Sequence, residues 1–200
     1  VSDEFFSIPI KDSIDDRLEI VCIGGVNEAK GITDVVLVAA GCYSRGIAFR
    51  IRVAGQILAS QVDYFNEVQR LIDEYNVPPS ALEFLGEVQD IPALLSEADI
   101  ALTMSHREAS PMAVWEGLAA GRIVISTDVG SVSDHVEHGV NGFIVTLGGS
   151  ESVVSIIEKT SQKKIDLAGV RKAARAVAEK HFTVQAIAER HKNIYSQVLG

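Results

Sequence analysis

Residues 98–126, with the sequence ADIALTMSHREASPMAVWEGLAAGRIVIS, carry the most informative pattern in the chain. An apolar run that ends at Ser105 predicts a strand, and the β-branched run that begins after Gly121 predicts a second strand. Between them, Ser110 suits the N-cap of a helix and Pro111 suits its first position, where the missing N–H of proline needs no partner. We expect a helix of roughly three turns that ends at Gly121, because glycine tolerates the left-handed conformation. The segment is therefore predicted to be a strand, loop, helix and strand unit.

The same alternation of apolar strands and helical segments runs along most of the chain. Strands are predicted at Leu18–Ile23, Phe49–Ala54, Leu82–Leu85, Ile100–Met104, Ile123–Ser126 and Phe143–Val145. Helices between successive strands indicate a parallel sheet. After Gly148, apolar residues recur three and four positions apart, which predicts helices that cover the sheet. The expected fold is α/β: a single Rossmann-like, doubly wound parallel sheet with C-terminal helices, over residues 18–200, preceded by a linker at residues 1–17.

Composition narrows the class of function. The 200 residues carry a net charge of −9, which argues against nucleic-acid binding, because that depends on many cationic side chains. No apolar run approaches the ~20 residues of a membrane span, and no signal peptide is visible, so we expect a cytoplasmic protein. Cys22 and Cys42, the second placed after a helix, have neither metal nor disulfide spacing. The histidines form no ligand set, so no metal is expected.

Two carboxylates, Glu108 and Glu116, lie eight positions apart across the predicted helix start. In α/β folds this loop and the free N–H groups of the helix face the carboxyl edge of the sheet, where ligands and anions bind. One glutamate lies in the loop and the other inside the helix, so we expect them to hold different parts of one elongated ligand. A carboxylate accepts two hydrogen bonds, which suits the vicinal hydroxyls of a sugar or ribose. Taken alone, two exposed glutamates at a helix start are ordinary, and without further evidence that interpretation would be preferred.

In its surroundings, this segment resembles the E-x7-E signature of the retaining GT-B glycosyltransferases of the type 1, or glycogen-synthase-like, family. Three further stretches are similar to family motifs and occur in the same order: residues 84–105, FLGEVQDIPALLSEADIALTMS; residues 129–145, VGSVSDHVEHGVNGFIV; and residues 181–200, HFTVQAIAERHKNIYSQVLG. Residues 1–9, VSDEFFSIP, resemble the crossing between the two domains of such enzymes. The resemblance covers nearly the whole chain.

The family has two Rossmann-like domains with the active site between them, and this chain resembles the second, donor-binding one. The resemblance therefore implies half of a GT-B fold, with residues 1–17 as an interdomain linker and residues 18–200 as a nucleotide-sugar-binding domain. The implied partners are a nucleotide diphosphate sugar, which is a substrate and not a cofactor, and an N-terminal acceptor-binding domain of the same polypeptide. Peripheral membrane association would arise through that other domain. The implied reaction is hexosyl transfer with retention of configuration, and the isolated domain should be inactive.

The resemblance also assigns roles to individual residues. It implies catalytic roles for Glu108, which would hold sugar hydroxyls, and for Lys30, which would meet the diphosphate. Donor binding is implied for Glu116 at the ribose, for the backbone around Ser110, Pro111, Met112 and Ala113, and for Gly86 and Val88 near the base. For Lys30 alone, the alternative is a solvated lysine at a helix start.

The chain departs from the family pattern in the loop after the first strand. Family members usually show G-R-x-x-x-E-K-G after the first strand, and here Lys30 and Gly31 match that pattern while Gly25 replaces the arginine. One of two expected positive charges is therefore absent, and Arg107 is a substitute by proximity alone. Two alternatives stay open: a regulatory or pseudo-enzyme module on the same fold, and a GT-B sugar-nucleotide epimerase.

Overall fold

The computed structural model describes residues 1–199 and contains one six-stranded parallel sheet. Its strands are β1 Leu18–Ile23, β2 Phe49–Ala54, β3 Leu82–Gly86, β4 Ile100–Thr103, β5 Ile123–Thr127 and β6 Phe143–Val145. The strand order is β3-β2-β1-β4-β5-β6, and every neighbouring pair is parallel. The chain builds outward from β1 to β3, then crosses back and starts again at β4 beside β1. This confirms the doubly wound, Rossmann-like sheet.

Helices cover both faces of this sheet. They are α1 Asp3–Ser7, α2 Ile32–Ser44, α3 Val62–Glu74, α4 Ile91–Glu97, α5 Met112–Ala119, α6 Ser150–Ser161, α7 Leu167–His181 and α8 Val184–Leu199. One core lies under α2, α3 and α6, and the other under α1, α4, α5 and α7. In β1, Ile20 and Cys22 face the first core while Val21 faces the second. Burial on both sides explains why the strands are nearly continuous apolar runs.

The predicted strands differ from the observed ones by at most one residue at an end, but the start of α5 was predicted wrongly. Pro111, with ψ of 102°, is itself the N-cap, and α5 spans eight residues instead of roughly three turns. Ser110 lies one residue before the N-cap and does not cap the helix; its Oγ accepts a hydrogen bond of 2.9 Å from Trp115 Nε1. The predicted end is confirmed, since Gly121 has φ of +62°. Cys42 also lies inside α2 and not after it.

Residues 1–17 are packed against the domain. Phe5 of α1 is buried in the second core. Three arginine side chains, Arg122, Arg171 and Arg175, donate hydrogen bonds to backbone oxygens of this segment, namely those of Phe6, Ile8, Pro9, Lys11 and Ser13. Two of the three, Arg122 and Arg171, are fully buried. The N-terminal segment is therefore held by charged side chains from the residue that precedes β5 and from α7.

The predicted C-terminal helices are confirmed, and they differ in how they pack. α6 packs on α2, where Gly41 leaves room for the side chain of Val154. α7 contributes Leu167 and Val170 to the core under α6, and Ala174 and Ala178 to the opposite core. α8 is largely exposed, including Tyr195. Within residues 1–199, none of the helices is both long and apolar enough to cross a lipid bilayer.

Candidate functional site

The loops that follow β1 and β4 meet at the carboxyl edge of the sheet, where the strand order reverses. The backbone N–H of His106 donates a hydrogen bond of 2.8 Å to the carbonyl of Ala29. Gly31, with φ of +62°, packs on the carbonyl of Met104, and a Cβ added there would lie 2.0 Å from that oxygen. Only glycine permits this approach, so the two loops are in direct contact. Open α/β sheets bind their ligands at this topological switch point.

Lys30 and Glu108 meet at this junction. The Lys30 ammonium forms an ion pair with Oε1 of Glu108, and Ser105 Oγ donates to the same oxygen at 3.1 Å. The Lys30 side chain passes over Gly24, where an added Cβ would lie 3.1 Å from its Cε. Both groups keep some access to solvent, with 30% of the lysine side chain and 16% of the glutamate side chain exposed. A cation and a carboxylate are thus presented together at the switch point.

Further bonds fix the loop that carries Glu108. Thr127 Oγ1 of β5 donates to the carbonyl of Ser105 at 2.6 Å, and the backbone N–H of Ser131 donates to the carbonyl of Ala109 at 3.1 Å. The His106 ring contacts the Asp34 carboxylate of α2 at 2.7 Å. No sequence pattern indicated the pair of His106 and Asp34, because the two residues are far apart in the chain and belong to no shared period. Contacts from Thr127 of β5, from Ser131 after β5 and from Asp34 of α2 therefore hold this loop in place.

The N-terminus of α5 is open to an anion. No side chain caps this helix, because its N-cap residue is Pro111, which has no polar side-chain atom. The first N–H groups of a helix have no partner within it, and those of Met112 and Ala113 occupy that position here. The helix dipole adds partial positive charge at the same place. Pro111 has no backbone N–H, so it cannot donate a hydrogen bond to a ligand here.

The Trp115 side chain holds Ser110 in position before the N-terminus of α5. Its ring is buried and stacks on Phe182 with centroids 4.3 Å apart, and His135 contacts it edge-on at 5.4 Å. The indole N–H is satisfied by Ser110. The hydroxyl proton of Ser110 is consequently left for a donor role toward a ligand.

Glu116 lies one turn into α5, about 6 Å along the helix axis from Met112. Burial raises the pKa of its carboxyl. In the described part of the chain, no hydrogen bond or ion pair joins Glu116 to Lys30 or Glu108. The structure therefore brings together two of the three charged residues that the sequence singled out, Lys30 and Glu108, and places the third, Glu116, apart from them inside α5. A partly buried carboxylate with a raised pKa is a candidate for a functional role.

Gly86 and Val88 lie in the loop after β3. Gly86 ends the strand with φ of +69°, and its carbonyl accepts a hydrogen bond of 2.8 Å from the N–H of Gly55. β3 is two strands away from β1, which corresponds to roughly 10 Å at ordinary strand spacing. The next residues, Gln89 and Asp90, line a cleft of about 660 Å³ between α4 and the N-terminal segment. This loop is therefore at the same edge of the sheet as Lys30, but at a distance.

Comparisons with known proteins agree with this architecture. The family model described as "Glycosyl transferases group 1" matches residues 4–177. The amylovoran biosynthesis glycosyltransferase AmsK of Erwinia amylovora is 25% identical over 190 residues, which is 91% of this chain and 45% of AmsK. The putative colanic acid biosynthesis glycosyltransferase WcaL of Escherichia coli is 27% identical over 179 residues, covering 85% of this chain and 43% of WcaL.

Among solved structures, Anabaena Alr3699/HepE in complex with UDP and glucose is similar, with a TM-score of 0.82 and 25% identity over 90% of this chain and 48% of HepE. This chain spans about half the length of the curated relatives that it matches. The family model covers most of the 200 residues. On these grounds, the chain belongs to the glycosyl transferases group 1 family.

Proposed function

We propose that this chain binds the nucleotide diphosphate sugar for a glycosyltransferase that retains the configuration of the transferred sugar. The contact between Lys30 and Glu108 at the switch point is the observation on which the proposal depends. It places a cation suited to phosphate beside a carboxylate suited to sugar hydroxyls. The open N-terminus of α5, which begins four residues after Glu108, adds backbone donors at the same edge of the sheet.

In the proposed reaction, departure of the diphosphate leaves negative charge on an oxygen and positive charge on the sugar ring. Lys30 and the N–H groups of Met112 and Ala113 would stabilise the negative charge, an effect worth roughly 3 kcal/mol for one well-placed donor. An ammonium has three N–H donors, so Lys30 can bind a phosphate oxygen while it keeps its contact with Glu108. Glu108 Oε2 makes no hydrogen bond within residues 1–199 and is available for sugar hydroxyls.

The remaining donor contacts follow from position along the edge of the sheet. The Glu116 carboxylate is partly buried and forms no ion pair with a side chain of residues 1–199. It would accept hydrogen bonds from the ribose hydroxyls. Backbone groups of Gly86 and Val88, at the same edge of the sheet but two strands away from β1, would meet the base. The acceptor would bind to an N-terminal domain of the same polypeptide, in keeping with relatives about twice as long as this chain.

Nucleotide binding tests the proposal. The 200-residue chain would be titrated with UDP, GDP and ADP by calorimetry, with ligand-observed NMR for weak binding; UDP is included because HepE of Anabaena was solved with it. We expect one of the three to bind at millimolar concentration or below. A folded chain that binds none of them would contradict the proposal and favour a regulatory module. Isomerisation of a sugar nucleotide by the full-length protein without acceptor would instead favour an epimerase.

Replacing Glu116 with glutamine is expected to stabilise the unliganded domain and to weaken nucleotide binding. Burial raises the pKa of this carboxyl, so the folded state favours its protonated form. Wild-type stability should therefore fall, relative to E116Q, as the pH rises from the unfolded-state pKa of about 4.3 through the higher folded-state pKa. Thermal unfolding of both proteins from pH 4 to pH 8 measures this difference.

The matched control for E116Q is Glu67→Gln, because Glu67 is an exposed glutamate of α3. We expect E67Q to change neither the pH dependence of stability nor the affinity for nucleotide. If E116Q binds UDP as tightly as wild type does, Glu116 does not contact the ribose.

A further inference from the structure

The loops that follow the six strands are acidic overall. Between the end of each strand and the next helix or strand they carry seven carboxylates, those of Glu28, Glu87, Asp90, Glu108, Asp128, Asp134 and Glu137. The same loops contain two lysine or arginine side chains, Lys30 and Arg107. A diphosphate that approaches this edge meets mostly negative charge, so its binding depends on where these two cations lie.

One of the two cations is already paired. The Lys30 ammonium is in contact with Glu108. Arg107 is exposed, and over residues 1–199 its guanidinium has neither a hydrogen bond nor an ion pair, although Glu108 is its neighbour in sequence. Ser105 and Lys30 occupy Oε1 of Glu108. Arg107 is thus the uncompensated positive charge of this edge.

The backbone of Arg107 lies against the loop after β1. Its N–H is 3.4 Å from the carbonyl of Ala29, the residue that precedes Lys30. His106 bonds to the same carbonyl at 2.8 Å, so the position of this stretch is fixed by two contacts. The long side chain of Arg107 therefore starts next to the residue that carries the other cation.

We propose that Arg107 is the second cation that binds the diphosphate of the donor, in addition to Lys30. This inference rests on the proposed function, because it concerns the same crevice. A guanidinium presents paired N–H donors that match two phosphate oxygens, whereas an ammonium acts as a point charge. Lys30 would bind the side of the diphosphate that is nearer the sugar, beside Glu108. Arg107 would bind the more exposed side of the diphosphate.

The test compares a nucleoside diphosphate with its monophosphate. Affinities for UDP and UMP, or for the corresponding pair of whichever nucleotide binds, would be measured by calorimetry for wild type, Arg107→Gln, Arg107→Lys and Arg70→Gln. Arg70 is a matched control because it is an exposed arginine of α3 whose partner is Glu74 on the same helix. R107Q should lose about tenfold in UDP affinity, as expected for a charge-assisted hydrogen bond, and at most about twofold in UMP affinity. R107K should fall between wild type and R107Q.

The outcomes separate the two proposals. If wild type binds none of the nucleotides, the proposed function fails and the role of Arg107 fails with it. If wild type prefers UDP to UMP and R107Q binds both as wild type does, Arg107 does not contact the diphosphate, while the proposed function stands. Equal losses for R107Q and R70Q would also overturn the inference, because they would show only an effect of net charge. Far-UV circular dichroism of each variant establishes that it is folded.

Discussion

Asp99→Ala is expected to lower the free energy of unfolding by about 3–5 kcal/mol, the usual result of removing one partner of a buried charge pair. Asp99 is completely buried at the start of β4. Its Oδ1 accepts hydrogen bonds from Lys11 Nζ at 3.0 Å and from Arg171 at 3.4 Å, and its Oδ2 accepts one from the backbone N–H of Glu19 at 3.0 Å. Urea denaturation followed by circular dichroism measures the loss.

The effect is large because Asp99 is the counter-charge of a buried cationic cluster. Burial lowers the pKa of Arg122 to about 10 and also lowers the pKa of Arg171, while the nearby Asp99 carboxylate opposes both shifts. Without that carboxylate, the guanidinium groups lose a favourable interaction that offsets their desolvation. The same arginines hold the backbone of Pro9, Lys11 and Ser13, so we expect the N-terminal segment to detach first.

Two comparison variants make this prediction specific. Asp166→Ala removes an exposed carboxylate that caps α7 through a 3.0 Å bond from the N–H of Gly169, and should cost about 1 kcal/mol. Asp99→Asn keeps an acceptor for Glu19 but removes the charge, and should be nearly as unstable as D99A. A D99N protein with wild-type stability would show that charge is not the reason, and a D99A protein no less stable than D166A would contradict the prediction.

The sheet could be predicted from sequence because its signal is local and repeated. Strands buried on both faces are apolar runs, and those of β1, β2 and β6 were placed with their observed bounds. The start of α5 could not be placed in the same way. Ser110 has the correct chemistry for a cap, but the helix begins one residue later, with Pro111 at the N-cap, and the Ser110 hydroxyl accepts a hydrogen bond from Trp115, five residues further on.

Part of the candidate site could be predicted, namely the residues that the order of the strands alone brings close together. Lys30 and Glu108 are 78 positions apart, yet each follows a strand next to the switch point, and parallel strands bring such loops together. The pair of His106 and Asp34, 72 positions apart, depends on side-chain directions that no periodicity encodes. No sequence pattern indicated the cluster of arginines around Asp99 either, because buried arginines are rare and the partners of these arginines are mostly backbone carbonyls.

Lys30→Gln is expected to remove most of the sugar-transfer activity. In the full-length protein we expect transfer to fall by about 10²–10³-fold, the usual effect of losing one group that stabilises developing negative charge. The isolated chain should also bind UDP more weakly, because a cation next to the diphosphate is lost. Lys30→Arg should recover part of the UDP affinity, although the bulkier guanidinium must pass the narrow space over Gly24.

Glu108→Gln should behave differently, because the two members of the pair are assigned to different parts of the donor. Removing this carboxylate frees the Lys30 ammonium, so UDP affinity should stay the same or rise. Transfer in the full-length protein should still fall by about 10²-fold or more, since the hydrogen bonds to the sugar hydroxyls are weakened. The ratio of UDP to UDP-sugar affinity, measured by calorimetry on both variants, separates these roles.

The double variant K30Q/E108Q distinguishes a ligand site from a purely structural ion pair. If the pair only stabilises the fold, each single variant should be less stable than wild type, the double variant should recover part of that loss, and UDP affinity should be unchanged in all three. In the proposed site, the double variant should bind UDP as weakly as K30Q does, whatever its stability, because the lost cation is not replaced. Wild-type affinity for UDP in K30Q would overturn the assignment of Lys30, and a parallel loss of UDP affinity in E108Q would overturn that of Glu108.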